Sequence, residues 1–252
     1  MMSSLKNAKG GQPDGSLRMS SGDSGNVLFL ILIAVALFAA LSYAVTQSTR
    51  SGGGDASSET NLVNSAQITQ YPAGIKTSIT RMVISNSVDP STLEFNPPAD
   101  FGTLTDTSYG VFHPSGGGAI YALAPDSVVE TSLNASKAWV FNSENEIYNI
   151  GTDGAPSVGS ADIIAFLPGV KQSICTSIHN KLGLSTTFPD ETADGIDYAS
   201  VMDDANPGIG AGGAIIGNSG GSILNGQPQG CFIGNNATTP VTYVYYGVLV
   251  ER

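Results

Sequence analysis

Basic residues are scarce in this chain: its 252 residues include 10 Lys and Arg against 21 Asp and Glu, a formal charge of −11. A phosphate backbone is gripped by clustered Lys and Arg. From Leu182 to Glu251 there is no basic residue, while seven acids occur, which argues against a nucleic-acid partner. Histidine is limited to His113 and His179 and cysteine to Cys175 and Cys231, a poor supply for zinc-finger or His-rich metal chemistry. Glycine is abundant, at 31 residues, and the composition is that of an acidic, Gly-rich globular protein.

One stretch departs from that composition. Residues 26–45 are almost wholly apolar, and no charge occurs between Asp23 and Arg50. Twenty helical residues rise about 30 Å, the thickness of a hydrocarbon core, so the stretch suits a membrane span or a long signal sequence better than a buried soluble helix. The preceding 25 residues are Gly/Ser-rich and hold Lys6, Lys9 and Arg18 against Asp14 and Asp23. This mildly basic leader is expected to stay in the cytoplasm. It carries three bases and two acids, so its removal would take the formal charge from −11 to −12. Two processing schemes are open. Small residues at Ser42-Tyr43-Ala44 or Ala34-Val35-Ala36 would serve a signal peptidase and release a soluble protein.

The other scheme rests on the hydrophobic run starting directly after Gly25, with a polar leader before it. This arrangement resembles the class III signal of type IV pilins and type II secretion pseudopilins. The resemblance implies cleavage by a prepilin peptidase after Gly25 and a methylated N-terminus at Asn26. It further implies a helix retained in the inner membrane until the subunit enters a filament, with Val27, Leu30, Ala34, Leu37 and Leu41 packing against neighbouring subunits. Major pilins have Glu at the fifth mature position, where this chain has Leu30, which points to a minor pilin or pseudopilin. Asp23-Ser24 also stands where family leaders often place Lys or Arg.

The expected organisation is a leader over 1–25, a transmembrane and polymerisation helix over 26–50, a linker and amphipathic helical stalk over 51–91, and an exported globular domain over 92–252. Ser51-Gly-Gly-Gly54 is expected to interrupt the helix, since each interior Gly costs roughly 1 kcal/mol against Ala. Asp55 can cap a following helix whose Ile75, Ile79, Met82 and Val83 form one apolar face, with Pro72 kinking or dividing it. Strand and turn signals follow in Tyr109-Gly-Val-Phe112, Ala119-Ile-Tyr-Ala-Leu123, Lys137-Ala-Trp-Val-Phe141 and Glu146-Ile-Tyr-Asn-Ile150. Val170, Ile174, Cys175, Ile178 and Leu182 form a helical stripe opening near Pro168 and stopping at Gly183. The run Val241-Thr-Tyr-Val-Tyr-Tyr-Gly-Val-Leu-Val250 is expected to pair with the segment around Cys231-Phe-Ile233. The fold class is therefore α+β: a long N-terminal helix, an antiparallel β-rich domain and one further amphipathic helix. An exported compartment and an even count predict a Cys175–Cys231 disulfide, and pilins commonly carry such a C-terminal loop.

Three motifs suggest other chemistry. Gly208-Ile-Gly-Ala-Gly-Gly213 has GxGxxG spacing but lacks the strand before it and the helix after it that a dinucleotide site needs, and reads as a surface loop. Gly217-Asn-Ser-Gly-Gly221 is like the nucleophile loop of chymotrypsin-like proteases, with Ser219 as nucleophile and only His113 or His179 as base. Both histidines read better as packing or surface residues. Asp190, Glu191, Asp194, Asp197, Asp203 and Asp204 crowd one acidic run without EF-hand spacing. It reads as a solvated loop, although calcium-stabilised loops in some pseudopilins make calcium the one cofactor the resemblance implies, on Asp190, Asp194, Asp197, Asp203 and Asp204. Aromatics from Tyr109 to Tyr246 suit either a contact surface or, more often, sheet core. Together these features indicate assembly with other pilin-like subunits, in the bacterial inner membrane with a periplasmic domain or in an extracellular filament, and no catalytic residues. The alternative is a secreted or membrane-anchored β-rich enzyme or binding protein using the loops around Ser219 and Asp197.

Overall fold

The computed structural model describes residues 24–152, 161–206, 213–218 and 221–252, with the side chains of 24–26 and 47–56 outside that description. The chain divides into two compact units, Met1–Asp55 and Ala56–Arg252. A single helix, α1 (Ser24–Asn86), has residues in both. The anticipated interruption at Ser51-Gly-Gly-Gly54 does not occur, because these residues are helical. Starting a helix is its costly step, whereas extending one adds a hydrogen bond per residue, so glycines flanked by good helix can be carried along. Pro72 likewise lies inside α1 rather than dividing it. A Cβ added at Gly247 would lie 3.4 Å from the Pro72 Cβ, ordinary van der Waals contact, so the proline ring packs beside the β6 backbone.

In the second unit, the anticipated stripe of α1 faces the core: Ile75, Ile79 and Met82 are at most 2% exposed, with Val83 partly buried against them, and Ile68, outside the anticipated stripe, is buried as well. The strands are β1 (Val140–Asn142), β2 (Glu146–Ile147), β3 (Ile163–Val170), β4 (Ile215–Ile216), β5 (Gln229–Asn235) and β6 (Thr242–Val250), and α2 (Gln172–Leu182) follows β3. Four of them form an antiparallel sheet in the order β1-β3-β6-β5. The expected C-terminal pairing is present, with Cys231 opposite Tyr245 and Phe232 opposite Val244. β2 and β4 form a separate parallel pair, so the domain is α+β without being wholly antiparallel.

The sheet is buried on both faces. Ile163, Ala165, Leu167 and Tyr245 join α1 and α2 in one core, while Ile164, Phe166, Val244 and Tyr246 join Ile147, Ile216, Leu224 and Phe232 in a second. This is the period-2 alternation of a central strand with apolar residues on both sides. β3 lies inside the sheet between β1 and β6, and it is not among the expected strands. Its signal is the uninterrupted run Ile163-Ile-Ala-Phe-Leu167, which strict polar alternation does not find.

Two local readings are corrected. Tyr109-Gly-Val-Phe112 and Ala119-Ile-Tyr-Ala-Leu123 are not strands. The first contributes a single bridge, Gly110 to Glu94, and its carbonyls are taken up by the turn that follows, Gly110 accepting from His113 and Gly117, and Val111 from Ala119. Pro168 does not open α2 but sits in β3 opposite Val244, beside a bulge at Pro168/Val170. A bulge tolerates the missing amide, and Lys171 takes the N-cap position instead. The Gly stop stands: Gly183 has φ 70° and its amide donates back to Asn180 and His179, the left-handed C-cap that Gly adopts without strain. The aromatics are mostly core. Phe112, Trp139, Phe141, Tyr245 and Tyr246 are buried, with Phe95 stacked on Phe141 at 4.8 Å.

Candidate functional site

The first candidate is the apolar part of α1. Val27–Thr46 spans 20 residues at a mean hydropathy of 2.7, and none of its window is buried. Leu28, Leu37 and Phe38 are 62%, 65% and 72% exposed. A helix satisfies its own backbone groups, which is the condition for entering hydrocarbon. The polar Thr46 hydroxyl also turns inward, donating to the carbonyls of Ser42 and Tyr43 at 2.7 and 3.0 Å. This segment is long and apolar enough to serve as a membrane anchor or a signal sequence. Leu30, Ala34, Leu37 and Leu41 recur every three or four residues on the exposed surface, and Leu30 is 59% exposed. Gly25 and Asn26 fall in the first helical turn, and their side chains lie outside the described residues.

The second is the closure of the sheet. Cys175 of α2 and Cys231 of β5 form the predicted disulfide, 56 residues apart in sequence, and both are fully buried. His179, one turn after Cys175, has no exposed surface. Its Nδ1 lies 2.7 Å from the Ser185 carbonyl and its Nε2 accepts the Cys231 amide at 2.9 Å. The tautomer is thereby set: Nδ1 carries the proton and Nε2 accepts. Burial holds the imidazole below its ordinary value. With both nitrogens committed to backbone, His179 staples α2 to β5 and has no atom left to act as a general base.

The acidic run is not one cluster. The Asp190 carboxylate accepts from the Thr192 amide and from Asn236 at 2.6 Å. Asp197 accepts from the amides of Ala199 and Ser200 and from the Ser200 hydroxyl. Asp203 accepts from Ala205 and Asn206, and Asp204 from Asn96 and Thr103 at 2.6 and 2.9 Å. The hydrogen bonds to Asp190 and Asp204 hold those carboxyls below the usual range. Among the described residues, no group of three or more His, Cys, Asp or Glu side chains is placed to hold a metal ion. The sixth acid differs from the others. Glu191 is 5% exposed, its Oε1 has no hydrogen-bond partner among the described residues, and burial together with Asp194 pushes it up to about 7.

The remaining motifs divide between described and undescribed segments. His113 is half-buried, its Nδ1 accepting the Ser115 amide and its ring edge-on to Phe101 at 4.9 Å. Ser219 lies outside the described residues, as does the Gly208-Ile-Gly-Ala-Gly-Gly213 loop up to its last glycine. Asn134 is buried, donating to the carbonyls of Ala138 and Pro168.

Sequence reasoning missed two polar networks that organise this end of the domain. Asn145 clamps Asp197 by its backbone, donating to the carbonyl at 2.6 Å and accepting from the amide at 3.0 Å, while Asn142 donates to the carbonyls of Asp197 and Ser200. Arg252 donates through Nε to the Ala161 carbonyl and through Nη2 to the Ser143 hydroxyl, and its amide donates to Asp162. Burial pushes Asp162 up to about 6 against the amide hydrogen bonds of Arg252 and Ile147. Asn142 and Asn145 belong to the polar run Asn142-Ser-Glu-Asn-Glu146, which reads as a solvated turn, and nothing in the spacing of these residues marks them. Compared with family models, with curated proteins and with solved structures, the chain matches none.

Proposed function

We propose that this chain is a minor pilin-like or pseudopilin-like assembly subunit. In this reading prepilin peptidase cuts after Gly25, Asn26 becomes the methylated N-terminus, and the apolar helix holds the subunit in the inner membrane before it joins a filament of similar subunits. The observation that carries the reading is the wholly exposed apolar segment Val27–Thr46, which needs lipid or other apolar helices around it. A disulfide-closed domain suits an oxidising compartment outside the membrane. Leu30 in place of Glu fits a subunit with no neighbour's amino terminus to neutralise.

The test is intact mass and N-terminal sequencing of the protein recovered from a bacterial envelope, with and without reductant. The expected product starts at Asn26, carries one added methyl group, and gains the mass of two protons on reduction. An N-terminus near Val45 would instead identify a signal peptide and a released soluble protein, and an intact Met1 a plain anchor. Either result refutes the proposal.

A further inference from the structure

A cavity of about 530 Å³ opens between the loop over 191–199 and the end of β5, lined by Glu191, Thr192, Asp197, Tyr198, Gly234 and Asn235 among others. Its walls are fixed at both ends of the loop. The Glu191 amide donates to the Ile233 carbonyl, the Thr192 hydroxyl accepts from the Asn236 amide at 3.2 Å, and Asn145 holds Asp197 by its backbone amide and carbonyl. Tyr198 donates its hydroxyl to the Gly234 carbonyl at 3.1 Å. A Cβ added at Gly234 would lie 2.9 Å from the Tyr198 ring, so glycine is what lets the ring close against β5. The cavity is therefore open and preformed.

What it lacks is positive charge. Two carboxyls belong to its wall. Asp197 spends its oxygens on the amides of Ala199 and Ser200 and on the Ser200 hydroxyl, whereas Glu191, 5% exposed, has an oxygen, Oε1, with no hydrogen-bond partner among the described residues. A buried carboxylate is costly unless it is paired. The wall is drawn wholly from the stretch between Leu182 and Glu251, which holds no Lys or Arg. Each of the six basic residues of the second unit is bonded elsewhere. Lys76 pairs with Glu251 and Lys137 with Asp126. Arg81, Lys171 and Lys181 donate to the carbonyls of Gly117, Asp126 and Leu62, and Arg252 to the Ala161 carbonyl and the Ser143 hydroxyl.

Among the described residues no three His, Cys, Asp or Glu side chains are placed to hold a metal ion. A hard metal cation needs such a shell of ligand oxygens, whereas an ammonium brings three N–H donors and no acceptor. A single unpartnered oxygen suits that point charge better than it suits the two-pronged fork of a guanidinium. The Tyr198 ring in the same wall suits the apolar stem of an alkylammonium, and aromatic rings attract ammonium ions. We propose that this cavity is a binding site for an alkylammonium group, with Glu191 as its counter-ion and Asp197, Thr192 and Tyr198 completing its wall. The group comes either from a free amine or from a lysine side chain of a partner protein. The site goes beyond the assembly reading and does not depend on it.

Methyl NMR of the full chain in detergent micelles tests this at pH 8, above the value of about 7 to which burial pushes Glu191. The probes are n-butylammonium for a free amine and N-acetyl-lysine methylamide for a lysine side chain. One or both should shift the Thr192 and Ile196 methyl signals saturably at millimolar concentration, with those of Ile174 and Ile178 in α2 unmoved. Tighter binding of the lysine probe assigns the site to a protein partner, tighter binding of butylammonium to a free amine, and either supports it. Glu191→Gln, which keeps the size and removes the charge, should weaken binding roughly tenfold or more. Butan-1-ol, the uncharged counterpart of butylammonium, should bind the wild-type cavity weaker by a similar factor. The proposal is overturned if neither ammonium shifts these methyls, if butan-1-ol binds as tightly as butylammonium, or if folded Glu191→Gln binds as tightly as wild type. Should Glu191→Gln disturb the α2 methyls, and so fail to fold, the butan-1-ol comparison on wild type decides.

Discussion

Cutting the Cys175–Cys231 bridge should cost the second unit about 4 kcal/mol. The bond closes a loop with a sequence separation of 56, and in the chain-entropy model a loop of that size restricts the unfolded ensemble by about 14 cal/mol/K, or about 4 kcal/mol at 25 °C. The native side should change little. Both sulfurs are buried where α2 meets β5, and the adjoining His179–Cys231 hydrogen bond uses the cysteine's backbone amide, which reduction leaves in place. Trp139, the single tryptophan, reports on this core: it is 6% exposed, 5.0 Å from Tyr71 and 6.0 Å from Tyr245. Guanidinium titrations of the full chain in detergent, oxidised and reduced, followed by Trp fluorescence, should show a midpoint lower by roughly 1 M in the reduced form, taking a slope of about 4 kcal/mol/M. A shift below about 0.2 M would refute the reasoning, because the bridge would then be constraining a chain already held together without it.

Two further outcomes follow from the same region. Replacing His179 by Leu leaves the Ser185 carbonyl and the Cys231 amide unpaired in the interior and should cost about 2–4 kcal/mol, with Gln recovering part of it. Because the folded imidazole titrates below its ordinary 6.5, the stability it contributes is present above that pH and lost as pH falls through the depressed value. Urea titrations at pH 7.5 and pH 5 should show the stability advantage of wild type over the Leu variant shrinking at the lower pH. Gly183→Ala meets nothing within 4 Å, so it isolates backbone strain at φ 70° and should lower stability by about 1 kcal/mol. Gly183→Asn should cost less, as read by thermal melts followed by circular dichroism.

Local chemistry carried some elements through to the structure. The apolar run at 26–45 needs no partner to be recognised, because its length against a bilayer is the whole argument. The α2 stripe with its Gly stop and the pairing of β5 with β6 survived because helical and strand periodicities were unambiguous there. The disulfide followed from parity and compartment. The failures share a cause: at each, a cost or preference counted locally was offset elsewhere in the molecule. Three glycines and Pro72 are poor helix formers, yet helix flanks them, and Pro72 packs beside Gly247. Ala119-Ile-Tyr-Ala-Leu123 has a strand's composition but no neighbouring strand to complete a ladder.

What the sequence determined by itself was therefore the list of parts: an exposed apolar helix, an amphipathic helix, a C-terminal strand pair and a cystine. Tertiary structure alone decided what polar groups do. Six acids within one short run could have formed a single cluster, but packing sent Asp190, Asp197, Asp203 and Asp204 to separate hydrogen-bonding partners and buried Glu191 against Asp194. It also spent both nitrogens of His179 on backbone. A polar side chain's role depends on which donors and acceptors surround it after folding, and residues distant in the chain supply them, as Asn145 does for Asp197 and Cys231 for His179.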